Sequence, residues 1–472
     1  MLVGREEELR ELGTLYEKGG FQMVVVYGRR RVGKTTLLAE FAAKKPAIFF
    51  TAMESNDQEN LRLFSRALYE YARLPASTGS FSDWTDAFDF LLDLAAEQQL
   101  VLVFDEFPFA AQANSSLPSI LQNAIDHKIS KSQVYMVLSG SNVGFMEDEV
   151  LGHRSPLYGR RTAQMHLLPF DYLDASKMLG ETSREDCIRY YSCLGGVPYY
   201  LSFVDTAISF EDNLISLFFN RTSVFSEEPL MMLRQQLREP AIYNTILMAL
   251  ANGANTPQLI ADQIGEERTK VMKYLGILSR LCIVKKIVPL LSDQAKTRKG
   301  VYRISDQLFS FWYRYLFPIH PEIELGSGEL LARKKIFPYL SEHTGRCFED
   351  VCIQWIRRKN QQSKLPFTAT AIGSWWGTDS KTKQQADVDA MAIDQSDGKL
   401  LLGECKWQES IQAATTLNKL CSKTTLFPDF KDIWFYLFSK APFDAASKRM
   451  VRENNRIHLV GLPDLFMEDP RT

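Results

Sequence analysis

The first chemistry lies near the N-terminus. Gly28-Arg29-Arg30-Arg31-Val32-Gly33-Lys34-Thr35 places glycine, lysine and a hydroxyl at the spacing GxxxxGK[ST]. Glycines at those positions let successive backbone N–H groups turn toward phosphate oxygens, and a helix starting at Lys34 adds partial positive charge. Lys34 would neutralise phosphate charge, and the Thr35 hydroxyl would ligate Mg²⁺. The apolar run 23–27 before the loop and the helical pattern from Thr36 onward supply the strand–loop–helix setting that such a loop needs. A second run, Val101-Leu102-Val103-Phe104, ends in Asp105-Glu106. A buried parallel strand delivers its carboxylates at its C-terminal edge. Asp105 is then expected in the Mg²⁺ shell, and Glu106 as the group that polarises an attacking water.

A different set of residues lies near the other end. Asp387-Val388-Asp389 opens one strand-like run, and 399–403 forms another that leads into Glu404-Cys405-Lys406. On adjacent antiparallel strands Asp389 and Glu404 would converge on one divalent metal. Lys406 leaves the same strand face as Glu404 and would stabilise charge on a scissile phosphate. Asp387 is a rival to Asp389. Glu349, on a helix expected near 344–358, would complete the acidic set, with Lys419 on the following helix (409–422) as an accessory. The order helix, hairpin, helix resembles the PD-(D/E)XK nuclease core.

These residues need scaffolds. Strands are expected at 22–27, 47–51, 100–104, 134–139 and 163–167, with helices between, which predicts a mostly parallel α/β sheet over residues 1–205. Residues 206–325 read as mainly helical. Helices at 239–251, 256–265 and 267–281 precede a hairpin-like stretch carrying Lys285, Lys286, Lys296, Arg298 and Lys299, which predicts a winged helix–turn–helix. The third helix carries Arg268, Lys270, Lys273 and Arg280. The aromatic run 309–315 reads as core. Residues 326–472 are expected to form an α/β restriction-endonuclease-like domain.

Further motifs sharpen the first region. Val3-Gly4-Arg5-Glu6-Glu7-Glu8-Leu9, the phosphate loop, Asp105-Glu106, Pro156-Leu157-Tyr158-Gly159-Arg160-Arg161 and Gly195-Gly196-Val197-Pro198 together resemble the archaeal-type ATPase family, related to AAA+ and STAND ATPases. The resemblance implies that Gly4 and Arg5 lie near adenine and that Ser141, after the fourth strand, sits near the γ-phosphate. It implies that Arg160 or Arg161 senses phosphate, in cis or from a neighbouring copy, and that Pro198 packs near the base. Arg29, Arg30, Arg31, Val32 and Thr36 would surround the nucleotide with the loop.

Bulk properties set limits. With 472 residues, 24% charged, and a net charge of −2, no global field draws the chain to nucleic acid, so any DNA contact needs a local basic patch. No apolar stretch is long enough to span a bilayer. Seven scattered cysteines without CxxC argue against a disulfide framework or a zinc site and favour a reducing cytoplasm. The expectation is an ATP- and Mg²⁺-dependent DNA-processing enzyme, a candidate homo-oligomer, whose C-terminal domain cleaves DNA with Mg²⁺ or Mn²⁺. The alternative is a nucleotide-switched regulator whose C-terminal domain only binds DNA or a partner.

Overall fold

Five strands, most of them apolar, build the first sheet. They are β1 (Gln22–Tyr27), β2 (Ala47–Thr51), β3 (Leu100–Asp105), β4 (Val134–Gly140) and β5 (Ala163–His166). All pair in parallel, in the order β2-β3-β4-β1-β5. Every residue of β3 and β4 is buried, as strands covered on both faces require. One face packs Val24, Val26, Val101, Val103 and Val137 against Leu37, Leu38 and Phe41 of the Lys34–Ala42 helix. The other holds Phe50 and Phe104 against Phe64 and Trp84, with ring centroids 4.8 to 5.9 Å apart.

The computed structural model describes residues 2–292, 300–379 and 383–467. The chain divides into two compact units, residues 1–169 with 197–199, and residues 170–196 with 200–472. The segment 170–196 therefore groups with the second unit, not with the first 169 residues.

The second unit contains helices Pro240–Ala251, Pro257–Ile264 and Arg268–Arg280, then an antiparallel pair, β6 (Val284–Ile287) and β7 (Val301–Ile304). Thr256 caps the second of these helices through Leu259 N–H, and Pro257 opens it, as the sequence implied. Lys296, Arg298 and Lys299 lie outside the described residues. Phe309, Phe311 and Trp312 are fully buried, so the aromatic run is core.

A second five-stranded sheet follows, in the order β12-β11-β10-β9-β8. Its members are β8 (Ala371–Thr378), β9 (Gln385–Asp394), β10 (Lys399–Lys406), β11 (Asp432–Ser439) and β12 (Ile457–Gly461). β8, β9 and β10 pair antiparallel, while β10, β11 and β12 run parallel. The Leu340–Gln361 helix, longer than expected, packs on β8, β9 and β10. Helix Ala413–Ser422 joins a core with Leu400, Leu402, Phe435 and Leu437. Residues two apart in these strands therefore share a face, and their immediate neighbours point to the opposite one.

Candidate nucleotide site and a second acidic cluster

In a parallel sheet the C-terminal edge is where ligand loops gather. Here β1 ends at the glycine-rich loop, β3 at Asp105 and β4 just before Ser141, all on one edge. Gly28 admits no side chain, because a Cβ would stand 2.3 Å from the Leu167 carbonyl oxygen. Gly33 has φ 91° and caps the Lys34–Ala42 helix, so the turn needs the left-handed region there. Val32 is buried, and Thr36 lies in the helix's first turn.

Lys34 is buried, and its Nζ donates to the Gly28 and Arg29 carbonyls at 2.8 and 3.1 Å. Burial lowers its pKa to about 8, against the pull of Glu106 and Asp105. The lysine thus rests on backbone oxygens, which a phosphate would replace with a stronger, charged partner. Thr35 Oγ1 donates to Asp105 Oδ2 at 2.8 Å. This hydroxyl–carboxylate pair has the hard oxygen donors that suit Mg²⁺.

Glu106 sits in the left-handed region at φ 51°, at the start of the Phe107–Ala113 helix. Its Oε2 accepts from the Ser141 N–H at 3.0 Å and the Ser141 hydroxyl at 2.8 Å. From the end of β4, on the same edge as the phosphate loop, Ser141 holds Glu106 in place. Arg5 supports the loop from behind. It is buried, and Nη2 donates to the carbonyls of Val32 (3.1 Å) and Leu168 (2.7 Å) while Nη1 pairs with Glu8 at 2.8 Å. Arg5 therefore staples the phosphate loop, with Gly4 (φ 67°) turning the chain beside it. Pro198 lies against the loop, 3.9 Å from the Cβ position of Gly33, and the Arg31 guanidinium is 4.4 Å from the Tyr199 ring. Arg29 is buried, and Arg30 raises the local positive potential at Lys34.

Arg160 and Arg161 are the correction. They precede β5, and the next residue, Thr162, donates its N–H to the Met23 carbonyl at the start of β1. That is the N-terminal edge of the sheet, roughly 16 Å of strand from Gly28. Arg160 is bound in a fork to Asp126 (2.8 and 2.7 Å) and to the Pro156 and Tyr158 carbonyls. Arg161 lies 5.9 Å from the Tyr158 ring. Neither is presented to the phosphate loop of its own chain, because strand direction fixes the edge on which a preceding loop falls.

The second cluster is built from β9, β10 and the Leu340–Gln361 helix. Gly403 pairs with Ala390, so Asp389 and Glu404 lie one step beyond the paired residues on neighbouring strands. Asp389 Oδ2 accepts the Cys405 N–H at 2.8 Å. Lys406 Nζ donates to Glu404 Oε1 at 2.6 Å. Lys423 donates to Glu404 Oε2 at 3.0 Å and to the Asp387 carbonyl at 2.8 Å. Lys423 was missed in the sequence, and Lys419, one helical turn earlier, is exposed. Asp387 contributes its carbonyl here.

Burial and the charge of Glu404 raise the Asp389 pKa to about 6. Burial and the charge of Asp389 raise Glu349 to about 7. Burial opposes ionisation of Glu404 too, but the hydrogen bonds and charges of Lys406 and Lys423 outweigh it and hold this carboxyl below its usual range. Glu349 thus senses Asp389, and Asp389 senses Glu404. Yet among the described residues no three His, Cys, Asp or Glu side chains are grouped to hold a metal ion. The donors are hard oxygens of the right kind, but each Glu404 oxygen already faces an ammonium group.

The hairpin also differs from expectation. Lys285 donates to Asp350 at 2.8 Å, and Arg303 of β7 pairs with the same carboxylate. These cations are committed to the Leu340–Gln361 helix. Arg268, Lys270, Lys273 and Arg280 are exposed, with Lys270 paired to Glu266 at 2.9 Å.

The parallel sheet and the loop geometry are those of a P-loop ATPase-like α/β fold at the N-terminus. Residues 2–204 match the profile of an ATPase domain predominantly from Archaea, and residues 312–417 match that of archaeal and bacterial proteins of unknown function. An uncharacterized protein of Methanocaldococcus jannaschii is 29% identical over 409 residues, which is 87% of this chain and 88% of that protein. An uncharacterized ATP-binding protein of the same organism is 42% identical over 45 residues, 10% of this chain and 76% of that one. The Walker-type ATPase of Pyrococcus abyssi has a similar fold, with TM-score 0.51 and 20% identity, covering 66% of this chain and 96% of its own. No described helix is long and apolar enough to cross a membrane.

Proposed function

We propose that this protein hydrolyses ATP with Mg²⁺ and processes DNA, and that its C-terminal acidic cluster cleaves a phosphodiester with Mg²⁺ or Mn²⁺. The observation that carries the cleavage step is the meeting of Asp389, Glu404 and Lys406 beside Glu349 on two strands and a helix. Thr35 and Asp105 would hold the nucleotide's Mg²⁺, and Glu106, fixed by Ser141, would orient the attacking water. In the C-terminal cluster Asp389 and Glu404 would hold the second metal, which supplies Lewis-acid charge. Lys406 would then stabilise the scissile phosphate. The three helices from Pro240 to Arg280 with the β6–β7 pair are read as a winged helix–turn–helix, and the exposed cations of its third helix as DNA contacts. Arg160 or Arg161 would serve a neighbouring copy's nucleotide, since each sits at the far edge of its own sheet.

The test is cleavage of plasmid and single-stranded DNA with Mg²⁺ or Mn²⁺, with and without ATP, beside Glu404→Ala. Cutting by wild type alone supports the reading. A second reading has its own support, because two lysines pair with Glu404 and no metal grouping is preformed among the described residues. In it, ATP and ADP states switch a C-terminal domain that only binds. Intact ATP turnover with no cutting under any condition selects it.

A further inference from the structure

The sheet of the second unit is covered unevenly. On one face the Leu340–Gln361 helix packs mainly on β8, β9 and β10. Beyond it, over β11 and the edge strand β12, lies a groove of about 850 Å³. Its floor is aromatic. Trp355 comes from the helix, Tyr436 from β11 and His458 from β12. The Tyr436 and His458 rings stack at 4.4 Å and 20°, and Trp355 lies 6.2 Å from Tyr436. His458 Nε2 is buried without a hydrogen-bond partner among the described residues.

The rim is basic. Lys359 and Lys364 line it from the end of the long helix and the loop after it, and Lys448 and Arg452 from helix Ala445–Glu453. Asp464 is the one acid among the lining residues, and one of its oxygens accepts the Gly461 N–H at 2.8 Å. The combination is flat rings below and cations along both sides. It fits a ligand with exposed planar bases and several phosphates. A duplex keeps its bases paired and hides their faces, so it matches the cations but not the floor. An acidic peptide matches the rim only.

We propose that this groove binds single-stranded nucleic acid. The backbone runs past Lys359, Lys364, Lys448 and Arg452, and unpaired bases stack on Trp355 and His458, the half-buried rings of the floor, with Tyr436 supporting His458 from beneath. The proposal deepens the DNA-processing reading by naming an unpaired strand as the form that the C-terminal domain holds. Its fate is separate from that of the cleavage step, because it concerns binding alone.

The experiment measures fluorescence anisotropy of a labelled oligothymidylate of about 12 nucleotides with the full chain. EDTA is present so that nothing is cut. Lys448→Glu with Arg452→Glu, both on an exposed helix face, is expected to weaken binding at least about tenfold and to reduce the salt slope by about 1.4. His458→Ala is expected to weaken it about fivefold with the slope unchanged. A double charge reversal that changes affinity less than about twofold overturns the proposal. So does equal competition by a duplex of the same sequence length, by thymidine monophosphate, or by polyglutamate. Wild type that binds the strand in this groove yet never cuts DNA with metal removes the nuclease reading and leaves the groove standing.

Discussion

The two acidic-and-basic sites are prepared for their ligands in opposite ways. At the phosphate loop the cation, Lys34, rests on neutral backbone carbonyls, and Thr35 holds Asp105 through one hydroxyl. At the C-terminal cluster the cations Lys406 and Lys423 rest on the carboxylate itself. A phosphate arriving at the loop replaces weak partners with a charged one. A metal arriving at the cluster must displace ammonium groups from Glu404. The first site is open to its ligand by backbone design, and the second is closed by its own side chains.

Breaking each site in turn gives the largest effects. Lys34→Ala removes the only loop lysine and should lower ATP turnover at least about 100-fold, measured by phosphate release. Single-strand binding without nucleotide should be unchanged. Glu404→Ala should abolish metal-dependent cutting, by about 100-fold or more, while ATP turnover stays at the wild-type level. A loss of ATP turnover in that variant would mean that the two sites are not separate.

The next effect is in stability, and the two sites titrate with opposite sign. Lys34 has a folded pKa of about 8, below its unfolded value of 10.5. The unfolded state therefore holds the extra proton between these values, and stability rises with pH across that window, by about 3 kcal/mol in total. Lys34→Met should flatten this rise and make the ligand-free protein more stable at pH 7. Asp389 has a folded pKa of about 6, above its unfolded 3.8. The folded state holds the extra proton, so stability is full below about pH 4 and falls as pH rises through 6, by about 3 kcal/mol. Asp389→Asn should gain on wild type across that window. His343, buried with its pKa pushed down to about 4, works in the other direction in the same unit, so the quantity to measure is the difference between variant and wild type in urea unfolding at each pH. A difference that does not change with pH would show that the carboxyl is solvated.

The smallest effect concerns Arg160. Arg160→Ala removes a half-exposed ion pair with Asp126, expected to change stability by less than about 1 kcal/mol. ATP turnover at dilute protein should be unchanged, since this arginine lies on the far edge of its own sheet. A drop in turnover that appears only at high protein concentration would sharpen the comparison by adding a second copy to the first site.

The loop and the five strands of the first sheet were legible because their signals are contiguous: a motif of eight residues and short, mainly apolar runs, buried from end to end in β3 and β4. The strands and both helices around the second cluster were legible too, to within a few residues. Side-chain commitments were not. Arg160 and Arg161 belong to a motif, but which sheet edge they occupy depends on the direction of β5. Lys423 and Lys419 are one turn apart and equally basic, and only packing separates them. Lys285 reads as a surface cation until Asp350, 65 residues later, is placed beside it. The protein partners of Arg5 and Ser141 lie far along the chain and leave no local signal.

Asp350 has a neighbour whose position matters. Glu349, one residue earlier on the same helix, faces the acidic cluster, while Asp350 grips Lys285 and Arg303 of the β6–β7 pair. Adjacent residues of a helix point about 100° apart, so one rigid rod presents a carboxylate to each neighbour. The hairpin and the acidic cluster are therefore anchored to the same turn of one helix, through side chains a single peptide bond apart.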